Sequence, residues 1–372
     1  MWVHAVSVGE VLAARPLLHA LAQRSPQAPL VLSTITPSGF VIAARQIEDD
    51  GVAIYFPLDL RWCVRRALDV LHPRVLLLVE TELWPMVIHL AKARGIPIVV
   101  VNGRISGRAF RRYGWVKPWS RRMFNDVDLF LMQSQGDADR IVQLGAPSQR
   151  VHVVGSLKWD ASVGARPTPK TIQDTAARLG LKGPELVLMA GSTHRGEEGV
   201  ILHAFQDVRA AYHNVRLILA PRHLERLAEV EGLARQQGLS STRLSHPSVG
   251  PWDVGIVDAF GQLSSYYGLA TVVFIGGSLI PHGGQNPLEA ASLGRPIVFG
   301  PSMDNFEAIT HQLLAHHAAR QVANGQELTQ LLHELLDHPT ETQVMGQRAQ
   351  ELTERFQGAT QRTLEALAPL LS

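Results

Sequence analysis

The sequence predicts an α/β protein built from two doubly wound parallel sheets, and three observations carry that prediction. Short apolar runs rich in Val, Ile and Leu alternate with helix-length amphipathic stretches along nearly the whole chain, the mark of repeated βα units. The alternation lapses once, over a Pro-, Ala- and Gly-rich stretch, and then restarts. At 372 residues the chain is long for one core, so two domains are expected.

In chain order, the first expected strand is Val3 to Val6, followed by Ser7-Val8-Gly9-Glu10 and a helix from Val11 to Gln23. A strand at Leu30 to Ser33 leads through the turn Thr36-Pro37-Ser38-Gly39 into a helix ending at Gln46, then a strand at Val52 to Phe56. A helix from Arg61 to Leu71 precedes the most apolar strand, Val75 to Val79. Strands at Ile96 to Val101, Leu129 to Met132 and Val151 to Val154 complete a first sheet, buried on both faces. Residues 1–160 are therefore read as one domain and 161–171 as the linker. The second domain, 172–342, holds strands at Leu186 to Ala190, Arg216 to Ala220, Val254 to Val257, Val272 to Ile275 and Pro296 to Phe299. Helices are expected from Gly196 to Tyr212, Leu224 to Gly238, Asn305 to Leu314 and Glu327 to Leu336. The closing segment, 343–372, reads as one helix that packs back on the first domain.

Composition narrows the class. No apolar run approaches the length that spans a bilayer, and Glu10, Arg15 and His19 interrupt any signal-peptide core. The single cysteine, Cys63, excludes an internal disulfide and fits a reducing compartment. A formal charge of +2 argues against a general nucleic-acid binder. No HxxxH or CxxC motif is present, so no dedicated metal site is expected.

Ligands of open α/β sheets bind beyond the carboxyl ends of the strands, and polar residues cluster there. Glu10 follows the first strand, Glu80 and Glu82 the strand ending at Val79, Asn102-Gly103-Arg104 the strand ending at Val101, and Lys158 the strand ending at Val154. In the second half Ser192 and His194 follow Ala190, while Pro221 and Arg222 follow Ala220. Each has an ordinary structural reading, since a carboxylate at a helix start commonly caps it. Six such clusters at successive strand ends favour one shared crevice. Between the strands at Val272 and Pro296, Gly276, Gly277, Gly283 and Gly284 would let a ligand approach the backbone, or simply allow tight packing. Pro287 suits the first turn of a helix of roughly ten residues whose start would attract an anion. Glu289 would accept hydrogen bonds from a ribose diol.

One stretch is strongly basic. Arg104, Arg108, Arg111, Arg112, Lys117, Arg121 and Arg122 are interleaved with Phe110, Tyr113, Trp115, Trp119, Met123 and Phe124, and no acid occurs among them. That mixture suits an anionic membrane surface or an acidic amphiphile. A solvated basic face over core aromatics and single-stranded RNA binding are the competing readings.

The ordered segments HAVSVGE, STITPSG, ETELWP, NGRIS, VVGSLKWD, GSTHRGEE, APRH and FIGGSLIPHGGQNPLEA resemble the bacterial Kdo transferases, the lipid A 3-deoxy-D-manno-octulosonic acid transferases. The resemblance covers nearly the whole chain. It implies a GT-B fold, two Rossmann-like domains facing across a cleft. It also implies an inverting, metal-independent transfer of Kdo from CMP-Kdo to a lipid A precursor, with no cofactor and no nucleic-acid partner. By this likeness Glu10 is the general base, and Glu80 and Lys158 support the transition state. Pro221, Arg222 and the run Asn286, Pro287, Leu288 and Glu289 contact CMP, with Ser192 and His194 in the same nucleotide-binding set. Phe260, Gly261 and Gln262 stand where the family usually has Met-Gly-Glu, which removes one carboxylate. The family works at the cytoplasmic face of the inner membrane and usually starts with a hydrophobic anchor. None precedes the first strand of this chain, so truncation, or attachment through the basic patch alone, is expected. Two alternatives stay open: a GT-B enzyme using a UDP-sugar, either a 2-epimerase or a hexosyltransferase, and a catalytically silent membrane-surface protein.

Overall fold

The computed structural model describes residues 1–24, 28–115, 117–164, 166–181, 183, 185–247, 250–259 and 261–371, with backbone alone at 108 and 117–119. The chain divides into two compact units, Met1–Gly164 with Phe356–Ser372, and Ala165–Arg355.

The first unit contains β1 (Trp2–His4), β2 (Leu30–Thr34), β3 (Gly51–Tyr55), β4 (Leu76–Val79), β5 (Ile98–Gly103), β6 (Leu129–Met132) and β7 (Val151–Val153). They form a seven-stranded sheet in the order β3-β2-β1-β4-β5-β6-β7, parallel throughout. The second unit contains β8 (Leu186–Thr193), β9 (Val215–Pro221), β10 (Ser241–Arg243), β11 (Val254–Ile256), β12 (Val272–Ile275), β13 (Ile297–Phe299) and β14 (Ala319–Gln321). Its sheet is parallel too, in the order β10-β11-β9-β8-β12-β13-β14.

Burial on both faces explains why the inner strands are apolar at every position. Along β4 and β5, Leu77, Val79, Val99 and Val101 face one core with Val11, Leu17 and Leu21 of the helix Val8–Arg24. Leu76, Leu78, Ile98 and Val100 face the other, beside Val87 and Ile88 of the helix Pro85–Ala93. Alternation along β1 sends Val3 to the first core and Trp2 to the second. In the second unit Leu188, Leu217, Val254 and Phe274 pack against Ile201, Phe205 and Leu332 from flanking helices.

Two expectations need correction. The segment 161–171 is largely helical: the helix Leu157–Gly164 runs into it, and Pro169–Arg178 begins inside it. The Thr168-Pro169 pair is a helix start, with Thr168 Oγ1 accepting from the Thr171 N–H at 3.1 Å. The closing segment is two helices, Pro339–Arg355 and Ala359–Leu371, broken at Gly358, whose φ of 94° is left-handed. Only the second of them joins the first unit. The basic stretch folds as the helices Gly107–Trp115 and Lys117–Asp126. Among the described residues, no helix is long and apolar enough to cross a membrane.

Side chains fasten the last helix to its unit. Asp160 accepts from the Gly358 N–H at 2.8 Å and the Thr360 N–H at 2.6 Å, which occupies donors at the helix start that have no partner within the helix. Arg362 Nε donates to the Val154 carbonyl at 2.8 Å, and Trp159 stacks on Phe356 with ring centroids 5.2 Å apart. Asp160→Ala is expected to lower stability by about 1–3 kcal/mol, the usual loss for hydrogen bonds to a charged acceptor. Urea unfolding monitored by circular dichroism measures it.

Candidate active site

In each sheet the chain winds outward in two directions from a central pair of strands, β1 with β4 and β8 with β12. Loops leaving such a pair diverge, and ligands of open α/β sheets lie in the crevice left at their carboxyl ends. The candidate residues gather at both pairs.

In the first unit Glu10 lies in the opening turn of the helix Val8–Arg24, directly after β1. Its carboxylate accepts from the Val6 N–H at 2.7 Å and from Ser7 Oγ at 3.2 Å, so it does cap its own helix. It is nonetheless far from an ordinary cap. Burial, then the charges of Glu80 and Glu82, push its pKa up to about 7 against the hydrogen bond from Val6. Glu82 is also raised, by burial first and then by Glu80, with Trp84 and Arg112 opposing. Glu80 follows β4 with a left-handed φ of 58°, and its Oε1 stands 3.0 Å from Lys158 Nζ. The charge of Lys158 is thus met by Glu80.

Asn102, which sequence reasoning noted only as a strand-end residue, organises this corner. Fully buried at the end of β5 with φ 54°, it accepts through Oδ1 from the Leu157 N–H at 2.9 Å. That bond fixes the first residue of the helix Leu157–Gly164, and so the position of Lys158 beside it.

In the second unit the central feature is Glu197, fully buried. Its carboxylate accepts four backbone N–H groups: His194 at 3.0 Å, Gly277 at 2.6 Å, Ser278 at 2.9 Å and Leu279 at 2.9 Å. The loops after β8 and β12 are thereby tied together. Beside it Glu198, also buried, pairs with Arg226 at 2.7 Å and accepts from Thr193 Oγ1. Sequence reasoning missed both acids, although the Glu197-Glu198 pair stands in GSTHRGEE. Ser192 sits at φ 55° at the end of β8. The His194 ring lies 3.9 Å from that of His282 and 5.6 Å from that of His223, with Nε2 3.0 Å from Gln285 Nε2. Burial, then those two histidines and Arg222, hold its pKa down to about 4, so the imidazole is neutral near pH 7.

The glycine-rich loop differs from its sequence reading. A Cβ at Gly276 would stand 2.4 Å from the Ser192 carbonyl oxygen, one at Gly283 2.6 Å from Asn305, and one at Gly284 2.2 Å from Met303. These glycines serve close packing within the unit. The following helix, Leu288–Ser292, has five residues rather than about ten, so no dipole-based anion site is built on it. Pro287 precedes it, and Asn286 Oδ1 accepts from the Leu288 N–H at 3.1 Å. Half-buried Glu289 has its pKa raised by burial, opposed by Arg222, while Arg222 itself is exposed and follows Pro221 at the end of β9. Gln262, beside Gly261, accepts from Arg178 at 3.4 Å and the Tyr266 hydroxyl at 2.9 Å. Phe260 lies outside the described residues.

In the basic stretch Arg111, Arg112, Arg121 and Arg122 are exposed and Arg104 half-buried, whereas the side chains of Arg108 and Lys117 lie outside the described residues. Met123 and Phe124 are buried in the core, so much of the aromatic interleaving is ordinary packing; Trp115, at 91% exposure, stands free of it. Arg112 reaches toward the Tyr113 ring, 5.7 Å away. Two Asp-X-Asp runs are structural: Asp128 pairs with Lys92 at 2.5 Å, and Asp137 accepts from the Ile105 N–H at 2.8 Å. Among the described residues no three His, Cys, Asp or Glu side chains are grouped to hold a metal ion.

Two doubly wound parallel sheets, each collecting polar residues at its central strand pair, define the GT-B fold class. The model of the 3-deoxy-D-manno-octulosonic-acid transferase (kdotransferase) family matches residues 1–161. The chain is 32% identical to the 3-deoxy-D-manno-octulosonic acid transferase of Haemophilus influenzae, covering 100% of this chain and 87% of that protein, and it belongs to this family of Kdo transferases. The Bordetella pertussis enzyme of the same name is 33% identical, over 99% of this chain and 86% of its own. Among solved structures, UDP-GlcNAc 2-epimerase from Neisseria meningitidis bound to UDP-GlcNAc aligns with a TM-score of 0.67 over 99% of this chain and 100% of that one. At 13% identity that likeness is one of fold.

A carboxyl whose pKa rises from 4.5 to about 7 on folding keeps a proton that the unfolded chain has lost. Its penalty is absent below pH 4.5, grows as pH rises toward 7 and is full above it. Glu10→Gln is therefore expected to stabilise the protein by about 1–3 kcal/mol at pH 8 and to leave it unchanged at pH 4.5. Denaturant unfolding at the two pH values checks the sign.

Proposed function

We propose that this chain moves Kdo from CMP-Kdo to a hydroxyl of a lipid A precursor by a single inverting displacement, without a metal ion, at the cytoplasmic face of the inner membrane. The observation that carries the reading is the Glu10 carboxyl, raised to about 7 beside Glu80 and Glu82 at the β1–β4 pair. A general base is most effective when its pKa lies near the working pH. The acceptor hydroxyl gives its proton to Glu10 as its oxygen bonds to the anomeric carbon of Kdo. The bond from that carbon to the CMP phosphate breaks, and CMP leaves with the electron pair.

The second unit holds the nucleotide in this scheme. Arg222 supplies positive charge, neutral His194 supplies a ring nitrogen, and Glu289 accepts from the ribose hydroxyls. Lys158, partnered by Glu80, leaves a fixed ion pair near the base rather than a free cation.

Incubation with CMP-Kdo and a tetraacylated lipid A precursor, followed by mass spectrometry of the lipid, is expected to show Kdo-bearing product. Sugar transfer from a UDP-sugar alone would overturn the reading. Glu10→Gln is expected to lower kcat by about 10²–10⁴-fold while CMP still protects the protein against heat. The wild-type rate is expected to climb with pH through about 7 as Glu10 loses its proton, and that limb should vanish in Glu10→Gln.

A further inference from the structure

The loop and helix after β3 form an amphiphilic surface that neither the family's motifs nor the basic stretch includes. Leu58, Leu60 and Trp62 are exposed by 69%, 50% and 69%. Trp62 lies in the first turn of the helix Arg61–Leu71, and Arg65 and Arg66 lie one turn on, where i+3 and i+4 residues share a face. All three arginines, Arg61, Arg65 and Arg66, are exposed, while Val64 and Leu68 form the buried stripe.

The exposure is built in. Phe56 stacks on the buried His4 ring at 3.7 Å, and its N–H donates to the Thr34 carbonyl at 2.9 Å, which anchors the base of the loop. Asp59 accepts from the Met86 and Val87 N–H groups at 3.1 and 2.9 Å, capping the helix Pro85–Ala93. The one acid of the loop thus points into the unit, while the leucines on either side of it point out. Asp69 is held by Arg94 at 2.5 Å and lies 4.0 Å from Arg65, one acid against the three arginines of this helix. The surface left to solvent is apolar and net cationic.

Its place in the sheet gives it a use. The strands are parallel, so the loop leaves β3 at the same end at which Glu10 follows β1 and Glu80 follows β4. β3 stands two strands from β1, roughly 10 Å at the usual strand spacing. The helices Gly107–Trp115 and Lys117–Asp126 leave β5 at that same end, on the other side of the carboxylates.

We propose that Leu58, Leu60 and Trp62 enter the interface of an anionic lipid bilayer while Arg61, Arg65 and Arg66 contact its head groups, so that this rim of the first unit rests on the surface that carries the acceptor. Tryptophan and leucine beside arginine on a short amphipathic segment favour that interface over water or hydrocarbon. The inference rests on the proposed lipid acceptor for its purpose, but vesicle binding tests it without donor or acceptor.

The full chain is sedimented with vesicles of phosphatidylcholine, with and without phosphatidylglycerol. The substitution Leu58→Ser/Leu60→Ser/Trp62→Ser is expected to lower partitioning onto anionic vesicles by about tenfold or more. Arg65→Gln/Arg66→Gln is expected to weaken binding only where phosphatidylglycerol is present. Both should leave the melting temperature and transfer to a detergent-dispersed acceptor within about twofold of wild type, because the altered side chains face solvent. Unchanged partitioning of the triple variant overturns the proposal. So does an equal loss of transfer in detergent, which would assign these residues to acceptor binding. A dimer in solution that the triple variant splits, with vesicle binding intact, overturns it in favour of a second copy. Lost partitioning in a chain that transfers no Kdo would sustain the docking surface and refute the activity.

Discussion

A parallel sheet that winds outward from its middle cannot close its own central edge. The loops after β1 and β4 turn to different sides, as do those after β8 and β12, and each pair leaves a notch lined with backbone groups and strand-end side chains. Glu10 and Glu80 lie at the first of those notches, and His194 and Glu197 at the second. Helices, cores and outer strands hold them in shape.

Holding a notch open calls for buried polar groups and uncommon backbone, and the chain uses both. Glu80, Asn102 and Ser192 have positive φ without being glycine. Such residues cost of order 1–3 kcal/mol each and persist where their surroundings fix them. For Asn102 the fixing is visible in its bond to Leu157, and for Ser192 in the backbone of Gly276 pressed against it. Glu197 meets the same need with four amides on one buried carboxylate. A buried carboxyl is tolerable there because each of its oxygens accepts hydrogen bonds from fixed backbone dipoles.

Much of this was legible in the amino-acid sequence, for a physical reason. Strands buried on both faces must be apolar throughout, so β4, β6 and β12 stand out as short runs of Leu, Val, Ile and Phe. The strand-end positions of Glu10, Glu80, Lys158 and His194 follow once those runs are placed. β10 and β14 were missed because they are edge strands of three residues each, Ser-Thr-Arg and Ala-Arg-Gln, with no apolar run to announce them. Thr168-Pro169 was taken for linker because its composition suits a loop as well as a helix start. Glu197 was invisible for another reason: its partners at 277–279 are some eighty residues away, and no local pattern encodes a bond of that span. The glycines after β12 were correctly seen as a close approach, but the approaching atoms belong to the protein itself.

The helix Ala359–Leu371 has a bearing on how the protein is made. It completes a unit whose other elements all end by residue 164, so that unit is discontinuous along the chain. A ribosome finishes the whole second unit before it releases the segment that covers Ala14, Leu17 and Leu157. Until then that apolar face is open, and the newborn amino-terminal half is a natural client for a chaperone. Loss of the last dozen codons would strand it in that state for good.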